Sequence, residues 1–198
     1  MSDASPVEKQ ISEVSVNEPI TTEEKLQHID LSNDMVIDKF KTAGEIASRA
    51  LQLVVSRCKP DVLINELCTA ADEYIEQQTG QIFNKSKTPI SKGIAFPTCI
   101  SVNNIVGHYS PLNSDKTKLC MNDCVKIDLA VHVDGYIANT ATTVIVNDNS
   151  VVDGKLADVL SACYYAADAT YRSLRPGNTN TQVTNIITGI AADFGMLV

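Results

Sequence analysis

No stretch of this chain approaches the ~20 consecutive apolar residues that a membrane-crossing helix requires. The N-terminus has no basic segment followed by an apolar run, so no secretory signal is expected. There is no serine or cysteine nucleophile motif and no zinc-finger spacing, and Gly93 and Gly107 are too sparse for a phosphate-cradling loop. Positive charge is also scarce. Sixteen Lys and Arg face 24 Asp and Glu, a net charge of −8, which argues against a stand-alone nucleic-acid binder. No internal repeat is evident. What remains is a globular chain of 198 residues, 44% hydrophobic, long enough for one sizeable core.

The charge is unevenly spread. Residues 1–33 carry −5 of the total and are rich in Ser, Glu, Thr and Pro, with no aromatic residue. They read as a disordered acidic arm preceding a single domain over 34–198. Six cysteines, Cys58, Cys68, Cys99, Cys120, Cys124 and Cys163, are scattered without export signals and read as reduced thiols. Cys120 and Cys124 have no second Cys/His pair at a useful spacing, so they read as strand-edge cysteines rather than a metal site.

From Asp34 the pattern turns helical. Met35, Phe40, Ala43, Ile46, Ala47, Ala50, Leu51 and Val54 recur at three- and four-residue steps, with Ser32 or Asn33 placed to cap. Lys59-Pro60 breaks this helix. A second follows, with Leu63, Leu67, Ala70, Ala71, Tyr74 and Ile75 on one side and Gly80 as its stop. Asn84–Lys92 reads as a polar loop whose Lys85, Lys87 and Lys92 offer either a phosphate contact or plain solvation. Cys99–Val102 and Ile105–Tyr109 read as short strands around Asn103-Asn104. Lys155 to Leu174 and about Thr181 to Phe194 are helical again. The order is α+β.

Val125–Val146 reads as two strands joined at Asp134-Gly135, a strong two-residue turn signal. This turn sets Val133 against Tyr136, Ala130 against Asn139 and Asp128 against Ala141. Side chains alternate, so Asp128, Ala130 and His132 share a face with Ile137, Asn139 and Ala141. Asp128 and Asn139 are then diagonal neighbours, roughly 7–8 Å apart at Cα. A carboxylate at 139 would complete a pair able to grip divalent ions; an amide brings an oxygen but no charge. Asp128 otherwise reads as a strand aspartate bonded to Lys126, a threonine or the backbone. His132 lies at the turn end and reads as a surface residue.

Several ordered segments resemble one family, the methionine aminopeptidase-like proteins of the pita-bread fold: GIAFP at Gly93–Pro97, SVNN at Ser101–Asn104, GHYSP at Gly107–Pro111 and KID at Lys126–Asp128. They look most like its type II branch. IANTATTV at Ile137–Val144 and RPGNTNTQV at Arg175–Val183 are similar to a non-peptidase group within that branch, the proliferation-associated or ErbB-receptor-binding proteins. The resemblance runs from about Asp34 onward and covers the first half of that fold, a curved antiparallel sheet backed by helices. It places Asp128 at the family's first metal-binding aspartate, Asn139 at the second, and His108 at a histidine that contacts substrate beside the metals. It implies a pseudoenzyme with no catalytic residue, no bound metal and no cofactor, keeping Asp128, Asn139 and His108 as vestigial positions. It further implies an adaptor that associates with ribosomal or other structured RNA and ribonucleoprotein. Proteins of growth signalling or transcription are the other implied partners, with roles in ribosome biogenesis and in transcription or translation control, in cytoplasm, nucleus and nucleolus. A metal-dependent methionine aminopeptidase is the alternative. No membrane insertion is expected, and a half-fold of this kind is expected to self-associate.

Overall fold

The computed structural model describes residues 31–85, 89–147 and 151–197. The expected acidic arm falls almost wholly outside them, as does Lys87. A first helix, α1, spans Asp34–Arg57. Asn33 caps it by accepting from the Met35 amide at 3.0 Å, and Asp34 and Arg57 sit at the ends that the helix dipole favours for their charges. Its buried stripe is Val36, Ala43, Ile46, Ala47, Ala50 and Val54. Val36 therefore takes the inward position expected of Met35, which is 66% exposed. Helix α2 follows at Ile64–Thr79 and buries Leu67, Cys68, Ala71 and Ile75.

The sheet has three antiparallel strands in sequence order, β1 (Lys92–Val102), β2 (Cys124–Val133) and β3 (Tyr136–Ile145). Val133 opposes Tyr136, Ala130 opposes Asn139 and Asp128 opposes Ala141, as the turn requires. Asp134 and Gly135 both have positive φ, 56° and 80°, which the two-residue turn demands. The tip is anchored twice: Lys39 Nζ donates to Asp134 Oδ2 at 2.5 Å, and the Asp134 amide donates to Ser91 O at 2.6 Å. Phe40 meets Tyr136 edge-on at 5.1 Å, so α1 is fastened to the hairpin by charge and by aromatic contact.

Alternation divides the sheet into two faces. Val125, Ile127, Leu129, Val131 and Val133 are essentially sealed against α1 and α2, while Lys126, Asp128 and His132 point the other way and stay partly accessible. Between α2 and β1, Asp72 accepts from the Thr98 amide at 3.1 Å and from its hydroxyl at 2.6 Å.

Two expectations about the strands need correction. β1 starts at Lys92 rather than at Cys99, and its register slips on both sides of Phe96, where Pro97 offers no donor to the ladder. Residues 105–109 form no strand. Asn103 and His108 have positive φ, which interrupts extended pairing, and one bond, Ile100 N to Tyr109 O at 2.8 Å, ties the loop beside β1.

Helices α3 (Gly154–Ser173) and α4 (Asn180–Asp193) pack on each other, with a capping box between Thr179 and Gln182 starting α4. Only Ala162 and Ala191 of this pair are buried, and Tyr164, Tyr165 and Tyr171 are exposed. No helix among the described residues is long and apolar enough to cross a membrane.

Candidate functional site

The polar face of the sheet is a grid set by strand register. Ser101, Lys126 and Thr143 form one rung, and Cys99, Asp128 and Ala141 form the next. Asn139 stands one rung further, opposite Ala130. A cavity of about 580 Å³ opens on this face, lined by Phe96, Pro97, Cys99, His108, Ser110, Asp128 and Asn139. It gathers the three positions read from the sequence, Asp128, Asn139 and His108. His132 does not line it.

A second cleft, of about 910 Å³, adjoins the first and shares His108 and Asp128 with it. Ser101, Lys126 and Thr143 form its sheet side; Leu160, Cys163, Tyr164 and Tyr165 of α3 form the other.

His108 stands between the two spaces. It is an exposed non-glycine residue at φ 60°, a conformation that costs energy and persists only where its neighbours impose it. Here they do. The Tyr109 carbonyl is fixed by Ile100, the Tyr109 amide donates to Ser101 Oγ at 3.3 Å, and the Tyr109 hydroxyl donates to Asp115 at 2.6 Å.

The charges of the grid are not spent on one another. Lys126 Nζ donates to the Asn103 carbonyl at 2.8 Å, and the Asp128 carboxylate has no hydrogen-bond partner among the described residues. Asp128 is therefore not the lysine-bonded strand aspartate that the sequence also allowed. Cys99 is buried. Burial pushes its thiol above the usual range, with the Asp128 and Asp72 carboxylates adding to the effect, and its Sγ donates to Pro97 O at 3.3 Å. Away from the site, Lys92 closes its own loop through Ile82 O at 2.5 Å and Asn84 Oδ1 at 2.6 Å, so its charge is committed locally. All six cysteines are free thiols.

The donors present do not fit a two-metal centre. Asp128 brings one carboxylate, Asn139 an uncharged amide, and among the described residues no group of three or more His, Cys, Asp or Glu is placed to hold a metal ion. Sequence reasoning missed Cys99, Phe96, Pro97 and Ser110. Cys99 was within reach through its pairing with Asp128, but the slips around Phe96 hid that register.

A helix pair behind one face of an antiparallel sheet, with a polar site on the other, is the architecture of the aminopeptidase-like pita-bread class. The solved structure of a thermophilic Arx1 aligns with a TM-score of 0.69 at 24% identity, over 82% of this chain and 50% of that one. Residues 38–197 match the model of metallopeptidase family M24, and the chain belongs to that family. It is 44% identical over 169 residues to proliferation-associated protein A of Dictyostelium discoideum, an alignment covering 84% of this chain and 44% of the relative. Over 172 residues it is 44% identical to ERBB-3 binding protein 1 of Solanum tuberosum, covering 87% and 44%. A methionine aminopeptidase of Methanothermus fervidus is 34% identical over 166 residues, covering 80% of this chain and 82% of that protein. The chain spans less than half the length of the Dictyostelium and Solanum relatives.

Proposed function

We propose that this chain is the first half of a non-catalytic, aminopeptidase-like adaptor, and that Asp128, Asn139 and His108 are remnants of a metallopeptidase site. The observation that carries the reading is the pairing of one carboxylate with an amide on the polar face of the sheet. Each divalent ion in a two-metal site exchanges water for anionic oxygens, and a neutral amide at the bridging position removes that compensation. The fold then supplies surfaces rather than chemistry. The relatives' names carry proliferation association and ERBB-3 binding; the finer proposal, by likeness of sequence, is growth-linked ribonucleoprotein work: association with ribosomal particles, ribosome biogenesis, and control of transcription or translation in cytoplasm, nucleus and nucleolus. Contact with structured RNA, with proteins of growth signalling or transcription, and self-association belong to the same proposal, by likeness of fold and sequence.

The rival reading is a metal-dependent methionine aminopeptidase that tolerates Asn139. It is favoured by the 34% identity to an archaeal enzyme of that name. Two measurements separate the readings. Co-sedimentation with ribosomal particles on a sucrose gradient, with no release of methionine from peptides in cobalt or manganese, is the expected result. Metal-dependent release of methionine, or a folded chain that never migrates with ribosomal particles, would overturn the adaptor reading.

A further inference from the structure

The two outer edges of the sheet are defended differently. Along β1, Lys92 opens the strand, the register slips on both sides of Phe96, and Pro97 withholds a donor. The loop beside it takes up the Ile100 amide through the Tyr109 carbonyl at 2.8 Å. β3 has none of these devices. Tyr136–Ile145 carries no charged residue, no Pro and no Gly, and it pairs with β2 in unbroken register.

A two-residue turn makes Val133 and Tyr136 a hydrogen-bonded pair, and bonded and non-bonded pairs then alternate along the hairpin. Cys124, opposite Ile145, obeys the alternation: its amide and carbonyl turn away from β3 and bond Asn103. The main-chain groups of Ala138, Thr140, Thr142 and Val144 therefore turn toward β2. Those of Ile137, Asn139, Ala141, Thr143 and Ile145 turn outward, and none of them has a backbone partner among the described residues.

We propose that this open edge pairs with the same edge of a second copy of the chain, antiparallel, about a two-fold axis at Ala141. The strand reads alike in both directions from that residue. On the polar face Ile137 meets Ile145 of the second copy, Asn139 meets Thr143, and Ala141 meets its own equivalent. On the helix side Ala138 meets Val144 and Thr140 meets Thr142. Branched apolar groups thus meet at the ends, hydroxyls meet an amide or a hydroxyl between them, and a small residue stands at the axis. Such cross-strand pairs stabilise an antiparallel contact, and no like charges are opposed. Each outward residue exchanges two main-chain hydrogen bonds with its opposite number, and Ile137, 50% exposed, is covered. Another strand could use the hydrogen bonds; this register matches the side chains as well. The inference deepens the self-association of the proposed function and rests on that part of it.

Sedimentation equilibrium of the 198-residue chain, from micromolar to millimolar concentration, is expected to show monomer and dimer in exchange. Ala141→Lys sets two ammonium groups against each other at the axis, on an exposed position, and should weaken the dimer about tenfold or more. The thermal melt of the dilute variant should stay near that of its parent. Register is read separately. Cα atoms of a hydrogen-bonded pair lie about 5.5 Å apart, within reach of a disulfide. Ala141→Cys should therefore cross-link two copies as oxidised glutathione is reduced to the thiol, whereas Ile137→Cys, opposite Ile145, should cross-link no more than the parent. A monomer at every concentration, or equal cross-linking by both cysteine variants, would overturn the proposal. Association that Ala141→Lys leaves unchanged would do the same, because it would place the contact on the α3–α4 pair. Ribosome co-sedimentation and methionine release are measured independently of these outcomes, so failure here is distinguishable from failure of the adaptor reading.

Discussion

Asn139→Asp rebuilds the carboxylate pair that the hairpin geometry allows, and its effect follows from the spacing. Asp128 faces Ala141, so position 139 is its diagonal neighbour on the same face. Two unit charges about 7 Å apart repel by about 2 kcal/mol at an effective dielectric constant near 20. Asn139 is exposed, so solvent and salt reduce this to about 1 kcal/mol. For a domain of this size that corresponds to a fall in Tm of roughly 2–4 °C at neutral pH. The sign in pH is fixed. The repulsion exists while both groups are ionised and is relieved as the pair takes up a proton, so the variant regains stability in mildly acidic solution. A divalent ion should relieve it as well, because the new pair grips it weakly. Peptidase activity should not appear, since no further ligands accompany the pair among the described residues. Thermal melts of both proteins across mildly acidic to neutral pH, with and without manganese, are the assay. A variant as stable as its parent at neutral pH and indifferent to manganese would show that the two side chains do not share a face, and the remnant-site reading would lose its basis.

Thiol alkylation followed by mass spectrometry should modify exposed Cys120 and Cys163 first. Cys58 and Cys68 should lag, because burial pushes their thiols up to about 11 and about 12 and leaves little thiolate. Asp115 is held down at about 2 by bonds from Thr117 and Tyr109, so its contribution to stability is present above the ordinary carboxylate range and is lost as pH falls through about 2. Tyr109→Phe removes one of those bonds and should move the onset of acid unfolding, read by circular dichroism, to higher pH. The α3–α4 pair exposes Val159, Tyr164, Tyr165 and Ile186 and should drive concentration-dependent association, partly opposed by the net charge of −8. Sedimentation showing a monomer at every concentration would count against that face as sticky.

The hairpin was legible because a two-residue turn leaves no freedom of register: once Asp134-Gly135 is placed, the face of every residue from Val125 to Ile145 follows. β1 was not, because Pro97 withholds a donor and the register slips around Phe96, so alternation does not carry across the strand. The same slips concealed Cys99. In α1 the stripe was read correctly from Ala43 onward, and the error lies at the first turn, where Val36 and not Met35 is buried. Residues 105–109 looked extended because Ile105, Val106 and Tyr109 are apolar or aromatic. Val106 is 92% exposed, and the backbone there serves to hold His108 at φ 60°. Positive φ at a non-glycine residue leaves little trace in composition.

The two faces of the sheet explain why a change at the site would leave the fold intact. Ile127 and Leu129 are sealed against the helices, and each such side chain contributes about 1.5–3 kcal/mol by burial. Losing one would cost more than the charge change at 139, which sits outside that layer. An asparagine there carries none of the repulsion that an aspartate would bring and that a bound cation or a proton would offset. An amide at 139 therefore leaves the core intact and adds no local repulsion. The polar face is not a blank surface. The Asp128 carboxylate has no hydrogen-bond partner among the described residues, Lys126 stands a rung away with donors to spare, and both are held in place by strands whose other face is packed. Rigid support with unspent charge is the condition under which the polar face of a sheet has the capacity to bind.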